Sequence, residues 1–247
     1  MMQRVLALVK MEILKLIREP AILFLNLLFP AILTLVFGLA FGAIGSGDSA
    51  IFKIMVPGLF AYACIFLIMT VAMSFTEDRE NGLLKRINVT PTTSSQFIGS
   101  HIITNMTIAV IQLVIVFLLS LVMGFQPNMD VFGFIAAFVF MLLLSLCSVG
   151  LGLITATISK SSGAAVGLSF IFILPQMFFG TFIAPAGVTE GIAAFLPSHY
   201  VTEAIRAIFN GVSPLAIENL MRLGIIALMT IIIVILGIFL FKKFGKI

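Results

Sequence analysis

The sequence predicts an all-α membrane protein, with six transmembrane helices preceded by an amphipathic helix on the membrane interface. Three observations carry this. Hydrophobic residues make up 61% of the 247 residues and charged residues 10%, a balance that no water-soluble globule of this size sustains. Six apolar stretches reach the roughly 20 residues that a helix needs to cross a hydrocarbon core about 30 Å thick. Alternating short strands of barrel type are absent from the sequence, so backbone groups in lipid must be satisfied within helices.

The first unit is residues 1–20. On a helical wheel Val5, Leu6, Val9, Ile13, Leu16 and Ile17 share one face, and Arg4, Glu12, Lys15, Arg18 and Glu19 the other. This pattern describes a helix lying in the cytoplasmic interface, ended by Pro20. It is not a signal peptide, because charges interrupt any apolar core and no small-residue cleavage site follows. Residues 21–247 form the six-helix transmembrane domain, with spans predicted at 21–43, 56–75, 98–123, 131–158, 164–184 and 223–241. With the N-terminus inside, eleven Lys and Arg residues fall on the cytoplasmic side and three, Lys53, Arg206 and Arg222, outside, which puts both termini in the cytoplasm. The net charge of +4 is then a topology signal and implies no nucleic-acid partner.

Between spans two and three, residues 76–91 hold six charges in a chain otherwise almost free of them. Charge of that density must be exposed at one membrane face or paired there. Ser74-x-x-Glu77 has capping-box spacing, the acids precede Lys85 and Arg86, and Asn81-Gly82 supplies a bend, so a short cytoplasmic helix is expected. Leu83, Leu84 and Ile87 give it an apolar ridge for a partner, and Thr90-Pro91 closes it before Thr93-x-x-Gln96 caps span three.

Other patterns exclude functions. The glycine run 42–47 is followed by Asp48 where a phosphate loop has lysine. Asp, Glu, Lys and Arg are absent from the middle of every predicted span, against the habit of ion-coupled carriers. His101 and Asn105 have the H-x-x-x-N spacing of some intramembrane proteases, but the paired glutamates and second histidine of such a site are missing, and bonding between helices is the expected role. Cys64 and Cys147 are expected as buried apolar residues, and no metal or catalytic residues are predicted. Gly38-x-x-x-Gly42 and Gly163-x-x-x-Gly167 are weak helix-packing signals.

The run from Glu77 through Arg79, Glu80, Gly82, Leu83 and Leu84 to Pro91 resembles the E-R-E-x-G-T-L-E-x-L-x-x-T-P segment of ABC-2 type transporter permeases. Val56-Pro57-Gly58-Leu59 resembles the P-G-L before that family's second span. Pro197, Tyr200, Glu203, Ala204 and Arg206 match its P-x-x-Y-x-x-E-A-x-R signature before the last span. Leu83 stands where threonine is usual and Lys85 where glutamate is, while Asp78 widens the acidic cluster.

The resemblance implies that this chain is a transport subunit and not an enzyme. It would pair with a second permease subunit, as a homodimer or with a paralogous partner, and with two copies of a cytoplasmic ABC ATPase, in the cytoplasmic membrane of a prokaryote. ATP and Mg2+ would bind the ATPase, and this chain would bind no cofactor. Segment 76–97 would be the coupling helix, with Glu77, Arg79, Glu80, Gly82, Leu83, Leu84, Arg86 and Pro91, together with Arg18, meeting the ATPase. Segment 185–218 would form short extracellular re-entrant helices, an outer gate carrying Pro197, Tyr200, Glu203 and Arg206, the last two spaced to pair on a helix. Thr70, Ser74, Asn105, Phe178, Phe179 and Phe182 are candidates for the pathway, and Pro175 for a kink below the gate. Uncharged spans rich in Phe, Met, Ile and Leu favour export of a lipophilic or amphipathic cargo (drug, antibiotic, peptide or lipid-like). A polysaccharide or glycolipid cargo is the alternative, and the lack of Trp with only two Tyr weighs against it. An ion-coupled carrier and an intramembrane hydrolase are the remote alternatives.

Overall fold

In a computed structural model, the described residues are 2–18, 20–42, 50–83, 93–182 and 186–244. Their elements are α1 (Met2–Arg18), α2 (Pro20–Phe41), α3 (Ala50–Glu80), α4 (Ser94–Val122), α5 (Val131–Ile158), α6 (Ser162–Met177) continued by a π-helical turn (Phe178–Phe182), α7 (Val188–Ala193), α8 (Pro197–Phe209) and α9 (Ile217–Phe244). Five helical segments, made by α3, α4, α5, α6 with its π turn, and α9, are long and apolar enough to cross a membrane; Leu27–Phe41 within α2 is a shorter apolar helix.

Local chemistry sets the boundaries. Thr93 and Gln96 form a reciprocal capping box at the start of α4, as predicted. Asp130 caps α5 by accepting from Gly133 N, and Ser161 caps α6 by accepting from Ala164 N. Pro175 has no N–H to give to the preceding turn, and three residues later the helix widens into the π turn.

The central element is α3. Its residues from Val56 to Ile68 are buried without a break, packed against α5 and α6 on one side and α2 and α4 on the other. An all-round apolar helix is what such a position requires. Close approach between α3 and α5 rests on Gly152, where a Cβ would come within 2.7 Å of Val71 Cβ and 2.9 Å of the Ile68 carbonyl oxygen. Between α9 and α5, the Thr230 hydroxyl donates to the Leu143 carbonyl at 3.2 Å, a polar link between two apolar helices. The outer side of α9 exposes Leu228, Ile231, Ile232, Ile235 and Phe239, side chains that suit lipid.

The charged segment differs from the expectation. Helix α3 runs through Ser74 to Glu80, so Ser74 is an interior helix residue and not a cap, and the first half of the charged segment extends the span as one rod. Apolar residues up to Phe75 and the intrahelical bond from Thr76 Oγ1 to the Ala72 carbonyl leave the helix no reason to restart. The break comes at Asn81-Gly82, where Gly82 adopts φ +68°, a conformation glycine takes without strain. Leu84, Arg86 and Pro91 lie outside the described residues.

The glycine pairs also divide. A Cβ on Gly38 would meet the Met123 side chain at 2.4 Å, so α2 and the end of α4 do pack through that pair. Gly163 and Gly167 have open space around the position of a Cβ, so they pack against no helix among the described residues. Cys64 and Cys147 are buried and free, as expected.

Candidate functional site: the charged end of α3

The four charged residues in the last turn of α3 reach three other elements. Glu77 and Asp78 receive Lys15 of α1, whose Nζ lies 3.4 Å from Glu77 Oε2 and 2.9 Å from Asp78 Oδ1. Arg79 donates to the Ser159 carbonyl at the C-terminus of α5, where a helix leaves its carbonyls without partners and favours a cation. Glu80 Oε2 accepts from Ser162 N at 3.0 Å, the complementary arrangement of an anion at the N-terminus of α6. Four consecutive residues thereby tie α3 to α1, α5 and α6. Leu83, just past the turn, packs on the cluster of Phe75, Phe97, Val149 and Phe241. At the same end the Lys242 ammonium of α9 donates to Ser95 Oγ of α4 at 2.8 Å.

Behind this turn lies a buried polar group. His101 Nε2 of α4 sits 3.1 Å from Glu12 Oε1 of α1 and 3.1 Å from Asp78 Oδ2 of α3, all three side chains at most 4% exposed. The Phe75 and Phe97 rings flank the imidazole, with centroids 4.1 and 4.5 Å away. Burial works to lower the Lys15 pKa, but the Asp78 carboxylate, with Glu77 and Glu12 behind it, raises it above its ordinary value, so the ammonium is held charged.

The polar face of α1, expected at the cytoplasmic interface, is partly turned into the protein. Glu12 is buried and Lys15 half-buried against α3 and α4, whereas Leu6 and Ile17 are exposed at 70% and 61%. The helix lies with its polar-to-apolar border inward, leaving its apolar arc for lipid and placing Glu12 over His101. Arg18 is exposed at its C-terminus. The role expected of His101 in joining helices is met by these contacts; Asn105 instead donates to the His101 carbonyl of its own helix at 2.9 Å.

The family model described as ABC-2 type transporter matches residues 3–210, most of the chain. The chain belongs to the ABC-2 type transporter family. It is a multi-pass membrane protein, the permease component of an ABC transporter. No curated protein matches the chain.

The permease carries a second polar site at its other end. In α8, Arg206 pairs with Glu203 as the spacing predicted. Pro197 is the buried first residue of that helix, and the Tyr200 hydroxyl donates to the Ala194 carbonyl at 2.8 Å, fixing α7 against α8. Buried Ser198 donates to the Gln176 carbonyl at 3.2 Å, which seats α8 on the residues leading into the π turn. A cleft of about 630 Å³ opens beside α8, lined by Glu190, His199, Tyr200, Glu203, Arg206 and Arg222 among others. Burial, with the nearby Arg222 and Arg206, lowers the His199 pKa against the pull of Glu203.

The predicted pathway residues are dispersed. Thr70 and Asn105 are buried in α3 and α4, and Ser74 is half-buried. Phe182 stacks on Phe37 at 5.8 Å and approaches Tyr62 at 6.4 Å, whereas Phe178 is exposed on the outside of α6 and Phe179 is half-buried. The sequence reading missed Glu12, Lys15, Ser159 and Ser162. Pairing of residues so far apart in the chain leaves no spacing signal, although the position of Glu12 on the border of the helical wheel was open to view.

Proposed function

We propose that this permease exports a lipophilic or amphipathic compound, driven by a separate cytoplasmic ABC ATPase that acts on the charged end of α3. Two permease chains, as a homodimer, and two ATPase chains make the working unit, with α2 as the sixth span and both permease termini in the cytoplasm of a prokaryotic cell. ATP and Mg2+ reside on the ATPase. Segment 76–97 docks on it, and α7 and α8 dip into the outer leaflet to close the exit.

The observation that carries this reading is the set of links from Lys15, Ser159 and Ser162 to Glu77 through Glu80. A force on the segment after Gly82 is passed at once to α1, α5 and α6, because packed helices move as rigid bodies. ATP binding that favours one ATPase arrangement would then select one arrangement of the spans. The test is affinity purification of the tagged full chain from membranes of its own cell in mild detergent. The reading expects an ABC ATPase to be retained and its hydrolysis to be inhibited by vanadate. A folded, monodisperse permease that retains no ATPase, and that moves solutes on an ion gradient alone, would overturn it.

A further inference from the structure

Three buried polar atoms converge behind the end of α3 without satisfying one another. One ligand atom from each of His101, Glu12 and Asp78 lies within 4.8 Å of the others, and His101 Nε2, Glu12 Oε1 and Asp78 Oδ2 have no aligned hydrogen-bond partner. An imidazole Nε2 carries at most one proton, so it serves at most one of two carboxylates well, although both stand at 3.1 Å. Leaving such atoms unpaired in a buried site costs free energy.

We propose that Glu12, Asp78 and His101 form a binding site for a divalent transition cation, Zn2+ being the best fit, which clasps α1, α3 and α4 together. One imidazole nitrogen and two carboxylate oxygens are a donor set that Zn2+ takes, with a fourth position for water. At Zn–N and Zn–O distances of about 2.0–2.2 Å, ligand atoms of a tetrahedral site stand roughly 3.3 Å apart. The two separations from His101 Nε2, both 3.1 Å, stand close to that spacing, and one donor atom from each of the three residues lies within 4.8 Å of the others.

The surroundings suit the same occupant. Lys15 Nζ holds the other Asp78 oxygen, Oδ1, at 2.9 Å and so turns Oδ2 toward the group, the orienting role that outer partners play around metals. The Phe75 and Phe97 rings restrict the imidazole plane. Charge balance agrees. The carboxylates of Glu12, Glu77 and Asp78 face one Lys15 ammonium, leaving two negative charges for a divalent cation to balance once the imidazole gives up its proton to bind it. The site depends on no assumption about cargo or ATPase.

The experiment uses the tag-free full chain carrying His199→Gln, so that His101 is its one histidine. The chain is stripped with a chelator and titrated with Co2+ and then Zn2+ against a chromophoric competitor. Expected are one ion per chain, visible Co2+ d–d bands, and affinity lower by at least about 100-fold in Glu12→Gln and in His101→Gln, with the exposed Glu218→Gln unchanged. X-ray absorption of the Zn2+-loaded chain should show imidazole scattering beside an oxygen shell, a readout that needs no further variant. Absence of a stoichiometric ion, affinity unaltered by His101→Gln, or a zinc shell without imidazole overturns the proposal.

Discussion

Glu80 of α3 accepts a hydrogen bond at 3.0 Å from the backbone N–H of Ser162, the first residue of α6. One residue earlier, Arg79 holds the Ser159 carbonyl at the end of α5. The turn between α5 and α6 is thus gripped at both ends by neighbouring residues of opposite charge, each matched to the dipole of the helix terminus it meets.

Arg79→Ala removes the donor to the Ser159 carbonyl, a charge-assisted bond worth about 1.5–3 kcal/mol. The purified permease is expected to melt several degrees lower, with Arg79→Lys intermediate, by thermal unfolding in detergent. An unchanged melting temperature in Arg79→Ala would mean that the bond contributes nothing.

Gly82 turns at φ +68° with nothing within 4 Å of a Cβ among the described residues, so backbone strain is the cost of a side chain there. Gly82→Asn is expected to be tolerated, Gly82→Ala to cost about 1 kcal/mol and Gly82→Val more. The order Asn, Ala, Val in stability, and in retention of the ATPase, is the check; equal behaviour of Asn and Val would contradict it.

Gly152 and Gly163 make a matched pair. A methyl at Gly152 strikes Val71 and the Ile68 carbonyl, whereas at Gly163 it meets open space. Gly152→Ala should destabilise by about 1–3 kcal/mol through overpacking, and Gly163→Ala should be neutral or slightly stabilising. Thermal unfolding of the two variants side by side decides it.

His199 supplies a pH dependence at the outer end. Its pKa lies below the ordinary 6.5, because burial and the adjacent Arg222 and Arg206 disfavour the imidazolium. The unfolded chain therefore binds the proton more readily than the folded one. The contribution of this residue to stability is fully present above pH 6.5 and is lost as pH falls through the depressed folded value. Thermal stability should fall between pH 7 and pH 5 in the wild type and fall less in His199→Gln; identical slopes would show that His199 plays no part.

Much of the fold was open to sequence reading because lipid enforces simple rules. Apolar length gave α5 at its observed bounds of 131 and 158, and the Thr93–Gln96 box marked the start of α4 where it stands. Pro197, Tyr200, Glu203 and Arg206 were grouped by the family signature they resemble, and the spacing of Glu203 and Arg206 predicted their pair. Ser74 misled because capping residues are also common inside spans, where a buried apolar helix runs on regardless. The Glu12, Asp78 and His101 group stayed hidden because its members stand on three helices, and only tertiary packing brings them together. The two phenylalanines of the outer end that part company, Phe178 and Phe182, show the same limit: the π turn after Pro175 rotates them away from a simple helical register.

The central claim is that the end of α3 carries the motion of the ATPase to the outer end of the permease. Its most direct measurement is labelling of Phe182→Cys by a membrane-impermeant maleimide in the reconstituted permease–ATPase complex, with and without ATP, Mg2+ and vanadate. Phe182 is half-buried beside the outer helices and is not part of the charged turn. The account predicts that trapping the nucleotide changes the labelling rate several-fold, and that adding Arg79→Ala and Glu80→Gln abolishes this change while ATP hydrolysis continues. A nucleotide-dependent change that survives both substitutions would contradict it.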